Sequence, residues 1–233
     1  MKLKKTTRVT PISEVIRKRL QDRKQQYFSN DNIAAVMSDG DTDLMVDEVA
    51  TKMEAVLKSL VIDTKKDHNA KDTARRFAKM LVLETFNGRY SKAPDVTEFP
   101  NVNKVDELYV VGPINMRSAC AHHWVPITGE VYIGVLPKDN LIGLSKFHRT
   151  VIHLASRPQI QEEMTEQIAD AVEAVTQPLG LAVLVVGNHL CCGHRGVKDQ
   201  GSRMVTSVMR GEMRTDKSLK SEFYKMVEMA KKG

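Results

Sequence analysis

The chain has 233 residues, of which 42% are hydrophobic and 27% charged, with a formal net charge of +6. That is ordinary globular usage, which excludes wholesale disorder, and no run approaches the ~20 apolar residues needed to span a bilayer. Cys120, Cys191 and Cys192 are the only cysteines, too few and too odd in number for a disulfide framework, so a reducing, cytoplasmic setting and metal or catalytic work are expected.

Residues 1–40 read as a basic arm and linker. The lysines and arginines between Lys2 and Lys24 hold the positive excess, and the rest of the chain is close to neutral. No apolar stretch follows these cations, which argues against a secretory signal. The arm is either a solvated helix or tail, or a contact for a polyanion. Tyr27 and Phe28 are its only stacking residues, which argues against nucleic acid. Ser29–Asp43 is polar and reads as a linker.

Residues 41–103 form a helical region. From Leu44 to Val61, the residues Val46, Val49, Met53, Val56, Leu57 and Leu60 recur at three- and four-residue steps, the period of an amphipathic helix. Asp72 or Thr73 caps a second helix through Phe77, Met80, Leu81 and Leu83, stopping near Asn87-Gly88. The pattern changes in residues 104–233. Leu108–Val111 and Val131–Val135 are strand-like. A helix starts near Leu144–Ser145 and ends before Pro158, and another carries Ile160, Met164, Ile168, Val172 and Val175 on one stripe. Leu181–Val186 is a near-continuous apolar run, as in a strand covered on both sides. Met204–Met209 is β-compatible, and a helix over Ser218–Ala230 closes the chain. The expected fold is α+β, an antiparallel four-stranded sheet with two helices on one face, preceded by N-terminal helices.

The densest chemical cluster is Cys120-Ala121-His122-His123, and His189-Leu190-Cys191-Cys192 lies far downstream. Two thiolates and an imidazole drawn from both would give zinc three ligands and leave a position for water. The same ingredients suit a closed structural site. The imidazoles of His122 and His189 are either proton shuttles or partners that orient a ligand. Lys146 and Arg149 lie one helical turn apart behind Ser145. Arg76 and Lys79 repeat that spacing, and Arg195 follows the second cluster. These cations either converge on a polyphosphate or are solvated faces. Gln161-Glu162 opens a helix. The Glu162 carboxylate can accept two hydrogen bonds from the N1–H and N2–H2 edge of guanine, or is an ordinary first-turn acid.

The segments C-x-H-H-x-V-P-I-x-G from Cys120, I-G-L-S-K-x-x-R from Ile142, R-P-Q-I-Q-E from Arg157, H-x-C from His189 and R-G-V from Arg195 resemble the GTP cyclohydrolase I family. The resemblance runs from about Arg76 to the C-terminus. It implies a zinc-dependent hydrolase that converts GTP and water to 7,8-dihydroneopterin triphosphate and formate, the first step of pterin, folate or 7-deazapurine biosynthesis. Zn2+ would be held by Cys120, His123 and Cys191. His122 and His189 would be catalytic and move protons. Glu162 with Gln161 would hold the guanine, while Arg76, Lys79, Ser145, Lys146, Arg149 and Arg195 would bind the triphosphate and ribose. The family's tunnelling fold matches the element order above, and the resemblance further implies a homodecamer of two pentamers with active sites at subunit boundaries. Ala121 departs from the family's Cys-Glu-His-His, which implies a slower enzyme or a displaced pH optimum. The rival reading is a catalytically impaired homologue with a binding or assembly role.

Overall fold

In the computed structural model, which describes residues 10–231, the chain divides between Lys92 and Ala93 into two units. The first is helical. Helix α1 (Ile12–Asp22) buries Ile16 and Leu20 against Ile33 and Val36, the latter in a single 3-10 turn over Ala34–Val36. The arm is therefore a docked helix from Ile12 onward; Lys2, Lys4, Lys5 and Arg8 lie outside the described residues.

The stretch expected as a linker is also packed, and the reason is polar. The Arg89 guanidinium donates to the carbonyls of Tyr27, Phe28, Ser29 and Asp31, and Asn32 Nδ2 donates to Gly88 and Ser91 at 2.8 and 2.7 Å. Backbone carbonyls that would otherwise need water are satisfied, so a polar segment can lie against protein. Gly40, at φ 83°, makes the left-handed turn into α2 (Asp41–Ser59). Helix α3 (Thr73–Lys79) continues into a π-helical stretch, Met80–Thr85, and then α4 (Asn87–Tyr90).

In the second unit, β1 (Glu98–Pro100) precedes two long strands, β2 (Tyr109–Cys120) and β3 (Pro126–Leu136), and then β4 (Asn140–Ile142). Helix α5 (Leu144–Ala155), the two-residue β5 (Pro158–Gln159) and α6 (Gln161–Thr176) follow. Strand β6 (Gly180–His189) runs into the short α7 (Leu190–Gly193). After β7 (Met204–Gly211) come α8 (Glu212–Thr215) and α9 (Lys217–Lys231). The main sheet has the order β5-β2-β3-β6-β7, while β1 and β4 form a separate ribbon.

The expected α+β class holds, with two corrections. First, the antiparallel strands β2, β3, β6 and β7 gain a fifth, parallel neighbour, because β5 pairs beside the end of β2. Second, both faces of the sheet are covered. Val131, Ile133, Val135, Leu181, Val183 and Val185 form one core with Phe147, Val151, Ile168 and Val172 of α5 and α6. The alternate residues Tyr132, Ala182 and Leu184 pack under Met213, Phe223 and Val227 of α8 and α9. Side chains on a strand alternate between faces, so the unbroken apolar run of β6 reports this double coverage.

Gly134 makes the α9 contact close: a Cβ there would lie 2.5 Å from Cδ2 of Phe223. Gly134→Ala should therefore destabilise by about 1–3 kcal/mol through overpacking, and Phe223→Ala by about 3–5 kcal/mol through the cavity it leaves. Denaturant titration checks both. A neutral Gly134→Ala would contradict the packing described.

Candidate active site

Three strand ends meet at one end of the main sheet. Strand β2 finishes at Cys120, and the corner to β3 is closed by Cys120 N–H to Val125 O at 2.9 Å and Trp124 N–H to Cys120 O at 2.8 Å. Across the sheet, Ile127 at the start of β3 pairs with His189 at the end of β6, and the next helical turn, α7, carries Cys191. On the other side, β5 sets Gln159 beside Cys120, and Ala121 N–H donates to Gln159 O at 2.9 Å. The first turn of α6, with Gln161 and Glu162, begins two residues later.

This convergence brings together one ligand atom each from Cys120, His123 and Cys191, all within 4.8 Å of one another. Among the described residues it is the one such group. Tetrahedral zinc, with bonds of about 2.3 Å to sulfur and 2.0–2.1 Å to nitrogen, needs its donors roughly 3.3–3.8 Å apart. The cluster is close to that, and two thiols with an imidazole suit a borderline-soft ion, so these residues fit zinc. Cys120 is buried, Cys191 partly buried and Cys192 exposed. Burial, together with the neighbouring thiols of Cys120 and Cys192, pushes the Cys191 thiol up to about 11.

His122 is exposed, with Nδ1 3.8 Å from Cys120 Sγ. His189 is half-buried; burial lowers its pKa, and the Glu162 carboxylate opposes that shift. Its Nε2 lies 2.8 Å from Gln161 Oε1. Gln161 and Glu162, expected together as guanine contacts, differ in exposure. Glu162 is exposed in the first turn of α6, whereas Gln161 is fully buried. Its amide nitrogen faces Val185 O, Met204 O and Thr206 Oγ1 at 3.3, 3.0 and 3.1 Å. Nothing in the sequence pattern marks Thr165 and Thr206, which complete this network, because their partners come from other elements.

The candidate phosphate-binding cations are dispersed within one chain. Arg195 follows α7 at the cluster end and is exposed. Ser145, Lys146 and Arg149 occupy the start of α5. There Lys146 donates to Asp95 O at 2.8 Å, and Phe147 packs edge-on against Tyr109, the first residue of β2. Cys120 is the last residue of that 12-residue strand, at most about 36 Å away at ~3.3 Å per residue. Arg76 and Lys79 are exposed on α3 of the first unit, and Arg76 sits 3.7 Å from Asp72.

With this geometry in hand, the comparisons with known proteins are decisive. The sequence model of GTP cyclohydrolase I matches residues 49–228. The chain belongs to the GTP cyclohydrolase I family. It is 37% identical over 183 residues to a protein named GTP cyclohydrolase 1 from Haemophilus influenzae, covering 78% of this chain and 84% of that one. Its identity to proteins of the same name is 38% over 181 residues in Haemophilus ducreyi, covering 77% and 83%, and 39% over 181 residues in Actinobacillus pleuropneumoniae, with the same coverage. The matched residues 49–228 include both halves of the Cys/His cluster.

The raised Cys191 thiol sets the pH behaviour of metal binding. A protonated thiol must lose its proton to ligate, so zinc uptake at neutral pH should release about one to two protons per ion and weaken as pH falls. Calorimetry in buffers of different ionisation enthalpy measures the release. Proton-neutral uptake would contradict ligation by Cys191.

Proposed function

We propose that this chain is a zinc-dependent hydrolase that converts GTP and water to 7,8-dihydroneopterin triphosphate and formate. The observation that supports it best is the gathering of Cys120, His123 and Cys191 at one point, with His122 and His189 each adjacent to one of them. Cys120, His123 and Cys191 would hold the ion, and zinc bound this way supplies Lewis acidity and a water of lowered pKa.

The remaining chemistry belongs to the chain. Burial lowers the pKa of His189 against the opposing Glu162 carboxylate, and the imidazole would accept a proton as the purine's five-membered ring opens. His122, exposed beside Cys120, exchanges protons with solvent as formate leaves. Glu162, at the N-terminus of α6, accepts N1–H and N2–H2 of guanine, a pairing that adenine cannot offer. Arg195 reaches the phosphates from the cluster end.

Ser145, Lys146 and Arg149 lie at the opposite end of the sheet from the cluster, so a complete triphosphate site needs these residues from a neighbouring copy. That supports a homo-oligomer with sites at subunit boundaries, and we propose the family's decamer of two pentamers and its tunnelling fold. Arg76 and Lys79 would join the same phosphate site. A cytoplasmic location fits the free thiols. No described helix is long and apolar enough to cross a membrane.

Ala121 favours a slowed enzyme. Its backbone is held by Gln159, and its methyl group offers His122 no hydrogen bond. Purified, metal-quantified protein incubated with GTP should yield formate and dihydroneopterin triphosphate in equal amounts. Cys191→Ala should remove bound zinc and lower kcat by about 10³-fold or more, while Ala121→Glu should raise turnover. Formate without the pterin, or neither product from zinc-loaded protein, would contradict the reading and favour an impaired homologue.

A further inference from the structure

A buried polar network lies against the candidate site, centred on Gln161 and touching His189. Gln161 is fully buried, and both ends of its side-chain amide and its backbone carbonyl have partners. The Thr165 hydroxyl donates to the Gln161 backbone carbonyl at 2.7 Å. Thr165 Oγ1 also lies 2.7 Å from Thr206 Oγ1. A hydroxyl has a single proton, and that of Thr165 is already directed at Gln161 O, so Thr206 donates to Thr165. The Thr206 oxygen is then left to accept from the Gln161 amide nitrogen at 3.1 Å.

Val185 O and Met204 O are acceptors only, and both face that same nitrogen. Turning the amide over would set its oxygen against two carbonyls, so the network fixes which end is which. Oε1 must therefore point at His189 Nε2, 2.8 Å away. An amide oxygen can only accept. Nε2 of His189 therefore carries the proton of this contact, and Nδ1 is the nitrogen outside it.

We propose that Gln161 is a positioning residue for His189: by accepting from Nε2–H it fixes the orientation and the Nε2–H form of the imidazole and leaves Nδ1 as the nitrogen available to the reaction. This rests on the proposed function for its catalytic consequence, but not for the tautomer itself. Gly187 supports the same geometry from below. A Cβ there would lie 2.1 Å from Gln161 Oε1 and 3.4 Å from His189 Nε2, so only glycine lets amide and imidazole meet above β6. Across the pair of strands, a Cβ on Gly129 would lie 2.1 Å from Val186 O, and this second glycine keeps β3 and β6 close beneath the network.

The experiment uses full-length, zinc-loaded protein with 15N-labelled histidine, with the His189 signals assigned by their loss in His189→Asn. In the wild type the proton should be on Nε2. Gln161→Leu, which removes the acceptor, and Gly187→Ala, which displaces Oε1 while leaving every network residue in place, should both mix the tautomers. They should also lower kcat by about 10²-fold with KM for GTP changed less than about twofold. Wild-type protein protonated on Nδ1, or variants that raise KM and keep kcat, would overturn the inference. Should Gln161→Leu fail to fold, the wild-type spectrum and Gly187→Ala decide it. An Nε2 proton in a wild-type protein that releases no formate would instead overturn the function on which the catalytic role rests.

Discussion

Strand register is the constraint on which the site depends. Cys120 and Cys191 are separated by about half of the second unit, and neither lies on an element that could reach the other locally. They meet because β3 pairs residue for residue with β6, from Ile127 opposite His189 to Leu136 opposite Gly180. A slip of one residue would move the end of β6 by ~3.3 Å and turn its side chains to the wrong face. The sheet resists such a slip because β6 is buried on both sides: Leu181, Val183 and Val185 against α5 and α6, Ala182 and Leu184 against α8 and α9. Burying each of the larger side chains contributes about 1.5–3 kcal/mol, and a slip would misplace all of them together. The hydrophobic core thus holds three ligand atoms within bonding range of one ion, although none of its large side chains is itself a ligand.

The sequence made parts of this arrangement legible and hid others, for physical reasons. Helices α2, α5, α6 and α9 were readable because one face of each packs on apolar neighbours, and the resulting 3.6-residue period is intrinsic to the chain. The apolar run of β6 correctly signalled cover on both faces. Strand β5 was not readable, since two residues carry no period, yet it is what sets the start of α6 beside Cys120. The segment 29–43 looked like a linker because its order comes from Arg89 and Asn32 acting at a distance, which composition cannot reveal.

The site divides in the same way. The metal-ligand types and spacings stood out, because thiols and imidazoles are chemically distinctive and the corner 120–126 is local. The surroundings of Gln161 were not legible beside Glu162. The two are neighbours in sequence but face opposite ways: Glu162 is exposed to solvent, and Gln161 is held by Val185, Met204 and Thr206. A buried amide and an exposed carboxylate cannot be told apart by adjacency. The cations at the start of α5 pose a different problem, since their separation from the cluster follows from strand length, which residue types and spacing do not report.

The account stands or falls on the coordination at the 120–123 corner. X-ray absorption at the zinc edge of the loaded, full-length protein measures it directly. The arrangement predicts two sulfur neighbours at about 2.3 Å and two nitrogen or oxygen neighbours at about 2.0–2.1 Å, the fourth of them exchangeable. A shell with three sulfurs, which would draw in Cys192, or one with no sulfur at all, would contradict it.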